Sequence, residues 1–167
     1  MTAARRGALA FRVGGAADIA ALWALRSAAL RRGCASHYPP RVVELWSACA
    51  PPDGYAGLLD GGGAVLAESE QGLLGYAVLD RASGEVCAVF VDPDCGGRGV
   101  GKALLQALCE LACADGIARL YLYASLNAVD FYRAAGFTAI RDEQYAHPCG
   151  VALSCVYMEM ALLMPFS

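Results

Sequence analysis

The sequence predicts an α/β fold in which a mixed, mostly antiparallel sheet of about seven strands is flanked by helices. Seven short stretches rich in apolar and β-branched residues are typical of strands, namely 9–13, 64–68, 73–79, 86–91, 120–123, 137–141 and 151–162. A tight turn at Glu70-Gln71-Gly72 favours antiparallel pairing of the strands on either side of it. One amphipathic helix separates the fourth and fifth stretches, so these two strands are expected to pair in parallel through a right-handed crossover.

Length, hydropathy and net charge indicate a single-domain protein and argue against membrane and nucleic-acid partners. With 167 residues, the chain is expected to form one domain, residues 1–167, with a full hydrophobic core. No apolar run reaches the roughly 18 residues of a membrane span, and the apolar stretch near the N-terminus is too short for a signal peptide. The net charge of −3 disfavours nucleic acid and mildly favours a cationic substrate. The sequence therefore predicts a cytoplasmic protein with no membrane or nucleic-acid partner.

Cysteine and histidine content argues against a metal site. The eight cysteines are expected to be reduced thiols, because a chain this long and apolar does not need disulfides to fold. Cys109 and Cys113 share a helix face at i, i+4, where a two-ligand metal site is less favoured than buried small hydrophobic side chains. His37 and His147 are the only histidines, and we expect no metal.

The N-terminal third is expected to be mainly helical. Helices are predicted at 17–32 and 42–48, separated by a loop at 34–40 that ends in two prolines. The apolar positions of the first helix are Ile19, Leu22, Trp23, Leu25 and Leu30. Residues 58–63 carry three consecutive glycines and are expected to form a turn before the second strand.

A glycine-rich segment lies between the fourth strand and the crossover helix. It consists of an arginine among four glycines: Gly96, Gly97, Arg98, Gly99 and Gly101. Glycines let the main chain approach a ligand closely, and the free N–H groups of the first helical turn attract anions. The pattern G-x-x-x-x-G-K ending at Lys102 resembles a Walker A loop, but Ala103 lacks the hydroxyl that binds Mg²⁺. No dinucleotide fingerprint can be placed, so the segment predicts an anion site of another kind.

Two blocks of sequence resemble the GNAT superfamily of N-acetyltransferases. The segment VDPDCGGRGVGKALL is similar to the family's acyl-CoA loop, Gln/Arg-x-x-Gly-x-Gly/Ala. Arg98, Gly99, Val100 and Gly101 fit this pattern, whereas Gly96 stands at the leading Gln/Arg position. A second block, LYLYASLNA followed by DFY and AGF, resembles the family's next strand and helix, with Ala128 one position from a common variant. The resemblance is strong over residues 83–140 and only architectural outside them.

The resemblance implies a GNAT-like acyl-CoA N-acyltransferase fold with acetyl-CoA as co-substrate. The sheet is expected to split between the 86–91 and 120–123 strands, so that the pantetheine arm of CoA lies along Val89, Phe90 and Val91. The pyrophosphate is expected on main-chain N–H groups of the glycine segment, with charge added by Arg98 or Lys102. Asn127 is expected to cap the following helix, to contact pantetheine, or both. The remaining expected CoA-binding residues are Gly96, Gly97, Gly99, Val100, Gly101, Phe131 and Tyr132.

Two residues are candidates for catalysis. Glu85 lies 14 positions before Gly99, the spacing at which histone-acetylating members of the superfamily carry their glutamate base. Its alternative role is that of a solvated glutamate at the start of a strand. Tyr132 stands where the family places the tyrosine that protonates the leaving CoA sulfur; alternatively it is a core aromatic beside Phe131.

The predicted function is transfer of an acetyl group from acetyl-CoA to a primary amine of a small molecule or protein by direct attack. An acyl-CoA-binding sensor with idle catalytic groups is the alternative, and covalent transfer through Cys87 or Cys95 is a third. The predicted partners are a small-molecule or peptide amine and, as one possibility, a second copy of the chain in a homodimer. In the family fold the first helix pair covers the acceptor cleft, which makes His37, Tyr38 and Trp46 candidate contacts.

Overall fold

A computed structural model describes residues 9–96 and 98–162 of the chain. Over these residues, seven strands form one sheet in the order β1-β2-β3-β4-β5-β7-β6. Only β4 and β5 are parallel, and the other neighbours are antiparallel. The strands are β1 Ala10–Val13, β2 Ala64–Ser69, β3 Gly72–Asp80, β4 Glu85–Val91, β5 Arg119–Ser125, β6 Thr138–Ala146 and β7 Ala152–Ala161. The prediction of a mixed, mostly antiparallel sheet is confirmed.

Five α-helices lie within the described ranges. They are α1 Ile19–Gly33, α2 Pro40–Ala48, α3 Tyr55–Leu58, α4 Val100–Ala114 and α5 Val129–Ala135. Short 3₁₀ turns occur at Ala16–Asp18, Pro93–Cys95 and Leu126–Ala128. None of the helices that the structure describes is long and apolar enough to cross a membrane.

The sheet opens between β4 and β5, as expected. These two strands are in register at one position only, where Glu85 lies opposite Tyr121. Beyond this pair, the edge of β4 that faces β5 has no strand partner among the described residues. On its other edge, β4 carries a bulge at Cys87, because Val86 pairs with Leu79 and Ala88 pairs with Val78. A bulge bends its strand and increases its twist, which is compatible with β4 leaving β5 at this point.

Apolar side chains cover both faces of the sheet. On one face α4 packs against β3 and β4, and the core there includes Leu104, Leu105, Leu108, Leu120, Leu122 and Met158. On the other face, α1 and the segment before β2 pack against β2 and β3, and the cluster there includes Leu22, Leu25, Leu59, Leu66, Tyr76 and Val78. A third cluster of Leu30, Cys34, Tyr38, Val43, Trp46 and Leu153 joins α1 and α2 to β7. The two helices α1 and α2 are therefore packed against β7.

The structure corrects two local predictions. The expected turn at 58–63 is helical: α3 is followed by a wide helical turn at Leu59–Gly63, which kinks at Gly62 with φ of 84°. Glycine disfavours helices, so the sequence did not predict this one. It forms because Leu59 is completely buried in the second cluster. Asn127 is not a helix cap, since α5 begins after Ala128 and no side chain caps it. The Asn127 Oδ1 atom instead accepts a hydrogen bond from the Cys34 thiol at 3.3 Å.

Candidate active site

The gap between β4 and β5 forms a cavity of about 490 Å³, called here the split cavity. Most of the predicted CoA-binding residues of the strands and helices line it: Val89, Phe90, Val91, Gly101, Asn127 and Phe131. Small residues make up much of this wall. The fold brings to one cavity residues that are up to 42 positions apart, from Val89 to Phe131.

The start of α4 combines two glycines that are required for different reasons. Gly99 precedes the helix in a left-handed conformation with φ of 74°, and a Cβ atom there would meet nothing within 4 Å. A Cβ atom at Gly101 would lie 3.2 Å from Cε1 of Phe131 and 3.4 Å from Cγ2 of Val91. Gly99 thus serves the turn of the backbone, whereas Gly101 permits α4 to approach the wall of the split cavity.

The remaining predicted loop residues lie beside this helix start. Gly96, Arg98 and Lys102 are exposed, and Val100 is buried. Gly97 lies outside the described residues. The first N–H groups of a helix have no intrahelical partner, and α4 is 15 residues long, so its N-terminus can attract an anion.

The opposite wall of the split cavity comes from the end of α1, which the sequence analysis missed. Ala29, Leu30, Arg32, Gly33 and Cys34 line the cavity there. An exposed ion pair of 2.6 Å joins Arg32 to Asp94 in the turn after β4, and the Cys34 thiol bonds to Asn127. These partners are 62 and 93 residues apart in the chain. No local sequence pattern signals such contacts.

A second cavity, of about 300 Å³, lies along the N-terminal part of β4, from Glu85 to Ala88, and is called here the aromatic cavity. Its wall is formed largely by aromatic side chains from helices and strands: Trp23, Tyr38, Trp46, Tyr55, Tyr123 and Tyr145. Phe90 and Ser125 line both cavities. The split cavity and the aromatic cavity therefore adjoin at these two residues.

Glu85 lines the aromatic cavity at the start of β4. Burial raises the pKa of its carboxyl group above the ordinary value, and the nearby charge of Asp80 adds to the shift. The Glu85 charge in turn contributes to the raised pKa of Tyr123 and of Tyr145. A carboxylate whose proton affinity is increased in this way is better suited to accept a proton near neutral pH.

The structure brings two of the three helix-pair candidates to this cavity. Tyr38 and Trp46 line it, whereas His37 is exposed and lies 3.0 Å from the Ser36 hydroxyl. The Tyr38 hydroxyl donates to the Ser154 carbonyl at 2.5 Å and accepts from the Leu126 N–H at 3.0 Å. Tyr38 therefore also holds β7 against the end of β5.

His147 lies in the loop between β6 and β7 and also lines the aromatic cavity. Burial lowers the pKa of its imidazole, and the positive charge of Arg26 lowers it further. Its Nδ1 atom accepts a hydrogen bond from the Cys149 N–H at 3.1 Å. A largely neutral imidazole at this place is a second group that could accept a proton.

Tyr132 does not line either cavity. It is 7% exposed and packs edge-on against Phe131 and Phe137, at centroid distances of 5.1 and 5.6 Å. Burial raises the pKa of its phenol, so the hydroxyl keeps its proton throughout the physiological range. It thus has the protonation state of an acid catalyst, while its neighbour Phe131 is the one that lines the split cavity.

Three potential metal ligands meet at the edge of the aromatic cavity. The ligand atoms of Cys49, His147 and Cys149 lie within 4.8 Å of one another. Two thiols and an imidazole are a ligand set that zinc accepts. The sequence suggested only Cys109 and Cys113 as a pair of metal ligands. Cys49 and Cys149 lie in loops 100 positions apart, so no local pattern connects them.

Comparison with known proteins places the chain in a family. A family model described as an acetyltransferase (GNAT) domain matches residues 34–162. Glucosamine 6-phosphate N-acetyltransferase of Trypanosoma brucei brucei is 41% identical over 59 residues, which is 35% of this chain and 40% of that protein. The matched segment thus spans less than half of that relative's length.

Solved structures share the fold over nearly the whole chain. A GCN5-related N-acetyltransferase from Rhodopseudomonas palustris has a TM-score of 0.82 at 27% identity, covering 92% of this chain and 95% of its own. The PaiA N-acetyltransferase of Thermoplasma acidophilum, solved with coenzyme A, has a TM-score of 0.71 at 18% identity, covering 92% and 99%. At 18% identity, the similarity to the PaiA structure shows a shared fold and no more. With a family model matching most of its length, the chain belongs to the GNAT acetyltransferase family.

Proposed function

We propose that this protein is an acetyl-CoA-dependent N-acetyltransferase that acetylates a primary amine by direct attack. The observation that carries the proposal is the junction of the two cavities at Phe90 and Ser125. One cavity has an open strand edge and a helix N-terminus, which suit a CoA thioester. The other has a half-buried carboxylate, which suits an amine. Donor and acceptor would meet at the junction.

The proposed CoA site uses mainly the main chain. The pantetheine arm lies along Val89, Phe90 and Val91, where amide groups can bond to a strand edge that β5 leaves open. The pyrophosphate lies at the N-terminus of α4, near Arg98 and Lys102. The PaiA relative was solved in complex with coenzyme A, which supports a CoA site on this fold.

Glu85 is the proposed general base. A primary amine has a reference pKa near 10.4, so it must lose a proton before it can attack. Glu85 accepts that proton directly or through one water, and the amine nitrogen forms a bond to the acetyl carbonyl carbon. The negative charge that develops on the carbonyl oxygen needs an N–H donor, which the free edge of β4 can supply.

After attack the nitrogen loses its second proton to water. Collapse of the tetrahedral intermediate then breaks the carbon–sulfur bond, and the CoA thiolate that leaves takes up a proton, which gives a neutral amide and a thiol. Tyr132 is the proposed source of that proton, or of a hydrogen bond to the developing charge, because its buried phenol stays protonated. If the proton is transferred, water restores it to the phenol. Its ring lies next to Phe131, which lines the split cavity. A reference thiol pKa of about 8.5 makes this proton helpful but not indispensable.

Direct attack is favoured over covalent transfer through Cys87. Partial burial raises the pKa of the Cys87 thiol, although the side chain keeps contact with solvent, and the negative charges of Glu85 and Asp80 add to the shift. Very little nucleophilic thiolate is therefore present at neutral pH. Cys95, the other cysteine considered, lies in the turn after β4 and lines neither cavity.

The function is tested by following thiol release from acetyl-CoA in the presence of a panel of amines. We expect amine-dependent release, an acetylated amine confirmed by mass spectrometry, and sequential kinetics. Acetyl-CoA binding in calorimetry without turnover for any amine would instead support the sensor. Ping-pong kinetics with an acetylated cysteine would support covalent transfer.

A further inference from the structure

Arg26 is a charged side chain buried in the wall of the aromatic cavity. It belongs to α1 and is 4% exposed. Its Nη2 atom donates to the Trp46 carbonyl at 3.1 Å, and the guanidinium lies 4.1 Å from the centre of the Trp23 ring. Its Nη1 atom is buried and has no hydrogen-bond partner. Because arginine does not lose its proton in proteins, Arg26 is a buried positive charge with unused donors.

No negative charge balances Arg26 within the part of the chain that the structure describes. It is absent from all seven ion pairs found there. The titratable groups that act on it are Tyr76, Cys49, Tyr55 and Cys149. Burial raises the pKa of the first three, so these groups stay neutral at neutral pH. A buried cation without a counter-ion is strongly unfavourable, and the cavity therefore favours entry of an anion.

A second donor lies near the first. Among the described residues, the only other buried side-chain nitrogen or oxygen without a well-aligned hydrogen-bond partner is the Tyr76 hydroxyl. Its interaction with the Tyr55 hydroxyl affects the pKa of both phenols, and a hydroxyl can rotate to donate to an anion instead. Tyr76 lines the same cavity, and the charge of Arg26 acts on its phenol. A guanidinium N–H and a phenol O–H in the wall of one cavity form a suitable pair of donors for anionic oxygens.

Arg26 and Glu85 occupy different parts of the cavity. Glu85 pairs with Asp80 across the β3–β4 ladder, whereas Tyr76, which the charge of Arg26 reaches, pairs with Phe90. Tyr76 and Asp80 are four residues apart on β3, which is about 13 Å along a strand. On the facing wall the Trp46 carbonyl binds Arg26, and the Trp46 ring contacts His147, which in turn contacts Tyr145, at centroid distances of 6.3 and 6.2 Å. The cavity thus has a basic carboxylate at one end and a cation at the other, with aromatic rings between them.

We propose that the acetyl acceptor is a small amine that also carries an anionic group, a carboxylate or a phosphate monoester, several bonds away from its nitrogen. Arg26 and Tyr76 bind the anion, the aromatic rings contact the body of the molecule, and the amine reaches Glu85 and the thioester. This inference rests on the proposed function, because it specifies the substrate of the same site. Separation of the two charges favours ω-amino acids and amino-sugar phosphates over α-amino acids, whose carboxylate adjoins the amine.

Matched amine pairs test the inference. We compare kcat/KM for 4-(aminomethyl)benzoate with its uncharged amide, 4-(aminomethyl)benzamide, and for glucosamine 6-phosphate with glucosamine. The first pair reports on a carboxylate and the second on a phosphate, so the preferred pair identifies the anion. We expect a preference of about 10- to 100-fold for the charged member of at least one pair, the usual effect of a hydrogen-bonded charge.

Variants assign that preference to Arg26. Arg26→Met keeps a long apolar side chain and is expected to bring the preference close to one, whereas Arg26→Lys retains part of it. Tyr76→Phe removes only the hydroxyl and is expected to reduce the preference by about tenfold or less. The preference is a ratio within one enzyme preparation, so partial unfolding of a variant does not alter it. Should Arg26→Met fail to fold, Tyr76→Phe and Arg26→Lys still decide the question.

A binding measurement separates this inference from the proposed function. The unreactive 4-methylbenzoate is expected to raise the melting temperature of the wild-type protein but not of Tyr76→Phe or Arg26→Met. If no amine is acetylated while 4-methylbenzoate still binds at Arg26, the proposed function fails and the anion site stands. Efficient acetylation with equal kcat/KM for charged and neutral members would overturn the anion site alone. A preference that Arg26→Met leaves unchanged would overturn it too.

Discussion

The split cavity and the aromatic cavity adjoin at Phe90 and Ser125, yet different kinds of residue line them. The split cavity is bounded by a free strand edge, a glycine at a helix start and the end of α1. The aromatic cavity is bounded by large side chains from α1, α2, α3 and five strands. A main-chain site depends little on side-chain identity, whereas a side-chain site changes with each substitution. We therefore expect the first to bind a ligand common to the family and the second to set the acceptor of this protein.

The largest expected effect is on kcat/KM, after substitution of Glu85 in the aromatic cavity. Glu85→Gln keeps the size of the side chain and removes the base, so kcat/KM for the amine should fall by about 10²–10⁴-fold. Calorimetric affinity for acetyl-CoA should not change, because the split cavity is untouched. Glu70→Gln, in the exposed β2–β3 turn, is the matched control and should leave kcat/KM unchanged.

The pH profile sharpens this prediction. Burial raises the pKa of Glu85, so wild-type kcat/KM should fall as the pH drops through that raised value, where the base becomes protonated. Glu85→Gln should lack this acidic limb. An identical limb in both proteins would show that another group, such as His147, accepts the proton.

The second effect concerns the leaving group. Tyr132→Phe keeps the ring packed between Phe131 and Phe137 and removes only the hydroxyl. We expect kcat to fall by about 10²-fold, the lower end of the range for general acids, because Tyr132 lines neither cavity. Acetyl-CoA affinity and melting temperature should be unchanged. A wild-type kcat, measured where chemistry limits the rate, would leave Tyr132 as a core aromatic.

A third effect should be confined to the split cavity. In Gly101→Val the new side chain would press on Phe131, since even its Cβ atom would lie 3.2 Å from that ring. Displacement of Phe131 into the cavity should weaken acetyl-CoA binding by about tenfold or more, judged by calorimetry. Gly57→Val is the control, because a Cβ atom there meets nothing within 4 Å. Equal affinities in the two variants would contradict a CoA site at Gly101.

The smallest effect is on stability. Because the folded-state pKa of Glu85 is raised, its ionised form destabilises the fold once the pH exceeds the ordinary value of 4.5. Below that value the carboxyl is protonated in both folded and unfolded chains and has no such effect. Glu85→Gln should therefore melt at a higher temperature than wild type near pH 8 and at the same temperature near pH 4. A variant that is less stable at both pH values would show that Glu85 is not held in unfavourable surroundings.

The sequence predicted the split cavity better than the aromatic one. Its key parts are contiguous: β4, the glycine segment and the start of α4 follow each other from Glu85 to Gly101. Strand ends, glycine turns and helix starts have local signatures, so a short stretch of chain suffices to recognise them. Apart from Pro93, Ser125 and Ala128, the residues that were missed belong to the end of α1, which reaches Asp94 and Asn127 through contacts distant in sequence.

By itself, the sequence determined the order of the strands and of every helix except α3, the glycine segment and the resemblance to one family, because all of these follow from local periodicity and local motifs. The tertiary structure alone decided that Arg26 is buried. On α1 it follows the apolar set Leu22, Trp23 and Leu25 and would face water if the helix stood alone. It is enclosed because α2 packs on α1 and brings the Trp46 carbonyl to its guanidinium. The burial of a polar side chain depends on what packs against it, and that partner lies 20 residues further along the chain.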